Sequence, residues 1–343
     1  MIELGNDYTY LLAEKIIPGT LNPILHELYQ SSYCVEEYFQ TYIGPPELFR
    51  TIHLFHKGDL KHVFVFTIEA KIAILQNMMS EIPPEDADLF SKIIFASFPE
   101  LNAVQITSSY NPPSPVATNT RMVKSDTDFV IPLPESTEAY LSMLGKQTRK
   151  HIKYYVNRAS RDFPDFVFRK QNKLEITKDE IRKVIQMHRI TLIRKQGVNI
   201  LTEEYERKIG LFSAHYGMLC TVEMDGRTVA GTLSYLVDTS VFLHVLSFDY
   251  NYAKYNAGQV ALFLTIEDLI NKGYKKFHFL WGDLEYKKRF GGKAHDFYTY
   301  LIFKNNKSKL IWDIRQFYPR TIHFKNRVVQ KLGLILNQRN QND

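Results

Sequence analysis

Two short stretches hold the residue types with which this chain could do chemistry. The first, Tyr252-Ala-Lys-Tyr-Asn-Ala-Gly258-Gln259, stands directly ahead of an apolar run that reads as a helix. A helix N-terminus offers unpaired backbone N–H groups and a partial positive charge, so such a loop can hold a pyrophosphate. Gly258 would let the anion approach closely, and Lys254 would add a point charge. A glycine ahead of a helix is also ordinary turn punctuation, so the loop gains its meaning from position. The second stretch, Gly282-Asp-Leu-Glu-Tyr-Lys-Lys-Arg-Phe-Gly291, follows a strand-like KKFHFLW and gathers two carboxylates, a phenol and three cations.

Other chemistries are excluded. There is no GxSxG elbow, Walker loop or HExxH. Cys34 and Cys220 are too far apart in sequence for a CxxC knuckle, and two cysteines build no disulfide framework. His53, His56 and His62 flank a turn with only Asp59 nearby, so no metal centre is expected.

The elements that must position the two stretches are legible from periodicity. Residues 146–161, KQTRKHIKYYVNRASR, place Ile152, Tyr155, Val156 and Ala159 at helical spacing with cations between. DFVFRK reads as a strand, Thr177–Glu180 as a capping box opening a helix to about Lys195, and a second helix runs from Thr202 to about His215. LCTVEM, RTVAGTLSYLV and VFLHVLSF form a meander punctuated by Asp225-Gly226 and Asp238-Thr239-Ser240. QVALFLTIEDLINKG is a helix ended by Gly273, and KKFHFLW is the final strand of the set. A weaker version appears earlier: a helix near 21–31, strands at 50–56 and 60–68 around Lys57-Gly58-Asp59, a helix from Pro84 to about Ala96, and a strand at 102–109. The order helix, hairpin, helix, strand thus occurs twice, which predicts an internal duplication.

Over about residues 136–303 the chain resembles the GNAT N-acyltransferase superfamily, in its FemAB-like and CelD-like branch. The matching residues are KQTRKHIKYYVNRA, the meander from Leu219 to Phe248, YAKYNAGQ and WGDLEYKKRFG. The sharpest is the last, with Gly282, the pair Tyr286-Lys287, and Phe290-Gly291. The resemblance implies an α/β (α+β) fold of two GNAT-like lobes, each a mixed, mostly antiparallel sheet flanked by helices. Their expected bounds are 1–135 for a degenerate first lobe, 136–303 for the acyltransferase lobe and 304–343 for a basic helical extension. It also implies acetyl-CoA or another acyl-CoA as co-substrate, with its pantetheine along the strand at 241–248 and its diphosphate among Phe248, Lys254, Asn256, Ala257, Gly258, Gln259 and Val260. Simpler GNAT loops carry Arg or Gln, two residues, Gly, one residue, then Gly or Ala. Here Lys254 and the single Gly258 leave the donor open. The corresponding loop of the first half, MMSEIPPED, carries Glu81, Glu85 and Asp86, which would repel phosphate.

Acyl transfer to an amine needs a held carbonyl, a deprotonated nucleophile and a protonated leaving group. Under the resemblance, Tyr286 is the candidate acid or positioning group, Lys287 a charge stabiliser, and His244 or Asp283 the base. Each has a plain alternative: a packed ring for Tyr286, a solvated cationic run for Lys287, a hydrogen-bonded core imidazole for His244, a turn for Asp283.

Charge is divided unevenly. Residues 1–145 hold 8 Lys+Arg against 18 Asp+Glu, net −10; 146–301 hold 26 against 17, net +9; 302–343 hold 9 against 2, net +7. The basic field therefore belongs to the second half and attracts polyanions. The tail, with Arg320, Lys325, Arg327 and Lys331, reads as a docked helix or as a contact with an anionic membrane surface or partner. No leader or membrane span is evident, so a cytoplasmic chain is expected. The expected activity is acyl-CoA-dependent transfer, of an acetyl group in the first instance, to an amine of a sugar, peptide or small metabolite, in surface polysaccharide production for example. The alternatives are a FemAB-type transferase using charged tRNA, and a non-catalytic adaptor.

Overall fold

A computed structural model describes residues 2–5, 7–13, 19–110, 119–196, 201–282 and 285–313. Its strands are β1 (Ile2–Gly5), β2 (Tyr8–Ala13), β3 (Arg50–His56), β4 (Asp59–Glu69), β5 (Ile72–Leu75), β6 (Ala103–Ser109), β7 (Thr120–Pro132), β8 (Val167–Asn172), β9 (Gly217–Met224), β10 (Arg227–Val237), β11 (Ser240–Phe248), β12 (Lys276–His278) and β13 (Lys293–Phe303). Its helices are α1 (Asn22–Tyr29), α2 (Glu36–Tyr38), α3 (Pro84–Ser97), α4 (Thr137–Met143), α5 (Lys146–Asp162), α6 (Lys178–Gln196), α7 (Glu203–Tyr216), α8 (Ala257–Asn271) and α9 (Glu285–Arg289).

Local chemistry sets the turns. Lys57-Gly58 and Asp225-Gly226 both take positive φ, the geometry that lets a two-residue turn follow the twist of its strands. The Thr177–Glu180 box is made in both directions, with the Thr177 N–H donating to Glu180 Oε2 at 3.0 Å and the Glu180 N–H to Thr177 Oγ1 at 3.3 Å. Thr202 caps α7 by accepting from the Tyr205 N–H at 3.1 Å.

All strands join one 13-stranded sheet in the order β1-β2-β3-β4-β5-β6-β13-β7-β12-β11-β10-β9-β8. The expected duplication is present as two lobes of one design. In each, a hairpin (β3–β4 or β9–β10) is followed by an antiparallel strand (β5 or β11), a helix (α3 or α8), and a strand parallel to the last (β6 or β12). The final strands are exchanged. β13, at the end of the second run, pairs with β6 of the first, while β7, at the end of the first, pairs with β12 of the second. β7 and β13 also pair with each other, from Lys293↔Val130 to Ile302↔Thr120.

Both faces of the second lobe are covered. α8 packs with Phe129, Ile131, Leu243, Phe277 and Phe279 on one side. α6 and α7 cover the other, where Phe212, Tyr235 and Phe242 meet Tyr33, Val35 and Met79 from the first lobe. KKFHFLW, expected as one strand, is strand only through His278, because Leu280 turns the chain at φ 58°. Nor does it close the set, since β13 follows. The basic extension from residue 314 onward, including Arg320, Lys325, Arg327 and Lys331, lies outside the described residues. No helix among the described residues is long and apolar enough to cross a membrane.

Because β12 borrows β7, a fragment of residues 136–303 should lose the cooperative thermal transition of the full chain, measured by circular dichroism. A fragment melting like the full chain would show that the exchange is dispensable.

Candidate functional site

β11 leads through a 3₁₀ turn (Tyr250–Tyr255) to Asn256, which takes φ 50° and breaks the chain into α8. The expected donor residues gather here, but the opening turn of α8 is covered. Ala257 is fully buried, Gly258 is buried, and a Cβ on Gly258 would sit 3.0 Å from Phe248 Cδ1. The Phe248 ring thus lies close against the glycine, and a larger side chain there would press on it. Val260 is 2% exposed, Asn256, Gln259 and Phe248 are half-buried, and Lys254 is exposed, its Nζ 5.1 Å from the Tyr255 ring centre. Arg158 of α5 lies over the same ring at 4.9 Å and donates to the Lys254 carbonyl at 3.2 Å. A diphosphate would need the Ala257 and Gly258 amides uncovered, and both residues are buried.

One strand earlier the sheet opens. β11 and β12 pair only at Ser240↔Lys276, Val241↔Phe277 and Phe242↔His278. Beyond that vertex the chain leaves for β7, with the Phe279 N–H donating to the Phe129 carbonyl at 2.9 Å. Leu243–Phe248 therefore have no strand partner on that side among the described residues. Against β10 the register skips a residue, Leu233 facing Val245 and Ser234 facing Leu243, so His244 is the bulged residue. Its Nε2 meets the Tyr205 hydroxyl at 2.9 Å, and Tyr235 packs 5.0 Å away ring to ring. Burial, with a smaller contribution from His188, lowers its pKa to about 4, which keeps the imidazole neutral and makes it a feeble base.

The exit motif folds as a clamp. Gly282, at φ 94°, donates its N–H to Asp126 Oδ1 at 3.0 Å. Lys287 is 2% exposed and donates to the carbonyls of Leu280 (2.9 Å) and Trp281, holding the turn that ends β12. Tyr140 donates to the Phe290 carbonyl at 3.0 Å, tying α4 to Phe290-Gly291. Tyr286 packs edge-on against Phe279 at 5.9 Å, and burial raises its pKa to about 12, so it stays protonated and able to donate. Asp283 lies outside the described residues. Tyr286 belongs to the α8 side of the sheet and His244 to the α7 side, so the two are not brought together.

One group escaped the sequence reading. His278, the last paired residue of β12, donates from Nδ1 to Asp128 Oδ2 at 2.7 Å, and Tyr110 donates to the same oxygen at 2.9 Å. Asp128 is fully buried on β7, and its Oδ1 has no hydrogen-bond partner. The only signal was the spacing of Asp126 and Asp128 ahead of FVIP, which on a strand puts both carboxylates on one face.

In the first lobe the equivalent gap is sealed. The Met79 N–H donates to the Ser108 carbonyl at 2.8 Å and the Tyr110 N–H to the Ser80 carbonyl at 3.3 Å, across the positions where β5 and β6 would part. α3 opens with Pro83-Pro84, which lack N–H groups. Asp86 in its first turn is fully buried against Lys61 (2.8 Å) and His62 (3.0 Å). Burial acts to raise its pKa, but the His62 and Lys61 bonds outweigh it and hold the carboxyl below its ordinary value. This lobe offers no anion site at α3.

Residues 146–288 match the family model described as Acetyltransferase (GNAT) domain. Among solved structures, FemX is similar over nearly the whole fold, at 9% identity, covering 88% of this chain and 99% of that one, with a TM-score of 0.63. The C-terminal domain (DUF2156) of a putative lysylphosphatidylglycerol synthetase from Agrobacterium fabrum is similar at 13% identity, covering 74% and 83%, with a TM-score of 0.46. A tandem GNAT protein from the clavulanic acid biosynthesis pathway gives 6% identity, 87% and 99% coverage, and a TM-score of 0.44. No curated protein matches the chain. The GNAT domain of residues 146–288 defines a GNAT-type acyltransferase, an enzyme that acylates an amine-bearing substrate, and the likeness to FemX shows the fold. Within that class the chain carries its GNAT domain in the second of two tandem lobes, on a whole-chain fold shared with FemX.

Two outcomes follow for stability. Gly258→Ala should lower stability by about 1 kcal/mol net, the overpacking against Phe248 exceeding the gain in helix propensity, and Phe248→Leu should restore it. An unchanged melting temperature would mean the ring moves freely. Since the folded pKa of His244 is depressed from 6.5 to about 4, the unfolded chain takes up the proton first as pH falls. Stability from this group is full above about pH 6.5 and declines by about 3 kcal/mol toward pH 4. In urea titrations His244→Gln should flatten that decline.

Proposed function

We propose that the chain transfers an aminoacyl group from charged tRNA to an amine on a sugar or peptide. The carrying observation is the covered start of α8: Ala257 and Gly258 are buried and the Phe248 ring lies against Gly258, which disfavours seating the diphosphate of a CoA donor there. A tRNA donor needs no such seat, since its polyanionic body can be held elsewhere. α5 supplies such a surface. Lys146, Arg149, Lys150 and Lys153 fall on one helical face, with no carboxylate partner among the described residues. Its N-terminal end adjoins Gly291, whose Cβ position is 3.4 Å from Leu144, so the stripe begins beside the exit motif. Backbone phosphates neutralised by such a stripe give affinity without sequence preference and with strong salt dependence.

A second reading keeps the acyl-CoA donor. The unpaired edge Leu243–Phe248 supports it, because a pantetheine amide chain can pair with an open strand edge. It requires Phe248 to swing away from Gly258. A role in surface polysaccharide production fits either donor.

The test is parallel titration with alanyl-tRNA and acetyl-CoA. The tRNA should bind and weaken with rising salt, and the Lys150→Glu/Lys153→Glu pair should cost about tenfold or more in affinity. Acetyl-CoA should give no heat. One-site binding of acetyl-CoA, sensitive to Lys254→Glu, with no binding of charged tRNA, would overturn the proposal in favour of the CoA donor.

A further inference from the structure

We infer that Asp128 and His278 form the base that deprotonates the acceptor amine, with Tyr110 as the positioning residue of the carboxylate. The inference rests on the chain being an N-acyltransferase and holds for either donor.

The geometry is that of a base rather than a brace. A carboxylate only accepts, so the 2.7 Å contact fixes the proton on His278 Nδ1 and leaves the lone pair on Nε2. Nε2 has no hydrogen-bond partner among the described residues, and the side chain keeps 11% of its surface open, so the lone pair can be reached from outside. Asp128 is fixed in turn. It is fully buried, and Tyr110, whose hydroxyl burial and the Asp128 charge hold protonated, donates to the same oxygen at 2.9 Å. The ring is clamped flat on Phe242 at 4.5 Å, at an interplanar angle of 15°. His278 and Phe242 are the last pair before β11 and β12 part, so Nε2 stands at the vertex of the open gap. From there Phe242, Tyr33 and the 40%-exposed Trp281 form a chain of ring contacts at 6.2 and 5.3 Å, an apolar shelf from the imidazole to the surface.

The proton balance is complete. An acceptor ammonium has three protons. One passes to His278 Nε2 and on to water, freeing the nitrogen lone pair, while Asp128 stabilises the imidazolium. The nitrogen attacks the acyl carbon, forming the C–N bond. The acyl C–O bond to tRNA, or C–S bond to CoA, then breaks, and the leaving atom takes a second proton from nitrogen through the same imidazole. The third remains on the product amide. No oxidant, metal or further reactant is needed.

The experiment measures single-turnover transfer by the full chain from alanyl-tRNA and from acetyl-CoA to two probe amines, glucosamine and glycylglycine, by mass spectrometry. His278→Ala and His278→Gln should slow transfer about 10²- to 10⁴-fold with donor affinity unchanged, and Asp128→Asn should slow it strongly as well. Added imidazole should restore about tenfold or more of the His278→Ala rate, which loss of a structural strut would not permit. Wild-type transfer that His278→Gln leaves intact, or a folded His278→Ala enzyme that imidazole does not rescue, would overturn the dyad alone. A wild-type chain that transfers from neither donor to either amine would instead overturn the acyltransferase reading, and the dyad's role with it.

Discussion

The exchange of β7 and β13 is the constraint on which the rest of the molecule depends. Each lobe ends its run of strands inside the other, so β12 has no second neighbour without β7 and β6 has none without β13. β12 is only three residues long, and its hydrogen bonds to β7 on one edge and β11 on the other are what hold it in the sheet. Without β7 it would have little to hold it, and without a fixed β12 the vertex with β11 would have no fixed position. The exchange also sets the chemistry of the gap. Asp128 belongs to the first run and His278 to the second, and they meet because their strands are neighbours in the sheet.

Around the vertex the parts divide the work by face. On the α8 side, Lys287 secures the carbonyls of Leu280 and Trp281, and Tyr286 seals the core. A buried ammonium survives only if its protons are engaged, and those carbonyls meet that demand while stopping the strand where the gap must begin. On the α7 side stand His278, Phe242, the bulged His244 and the tyrosines between the lobes. The two lobes diverge at the same point. In the first, backbone hydrogen bonds close the gap and Asp86 supplies the negative charge itself. In the second, the gap is left open.

What could be read in the sequence was local. Asp225-Gly226, the Thr177–Glu180 box and the cation spacing of α5 are each written within a few residues, and each forms as its chemistry dictates. Twofold repetition was legible because hairpins and helices recur in order. What failed to show were the pairings that join distant strands. β7 and β13 carry mixed, partly exposed patterns because their neighbours, each other above all, lie more than a hundred residues away. For the same reason His278 read as one more residue of KKFHFLW, its partner being 150 positions earlier. Gly258 and Lys287 were noticed for their types, but type alone did not disclose that Phe248 and two carbonyls are what they meet.

The traded strands also impose a schedule on the nascent polypeptide. β6 is complete at Ser109, yet the strand that covers its free edge ends at Phe303. At roughly 5–20 residues per second, the ribosome leaves that edge bare for on the order of 10–40 s. Throughout this interval the half-made protein presents an open β-template, the kind that recruits neighbouring chains, and its safe passage depends on chaperones or on the speed of translation through the second lobe.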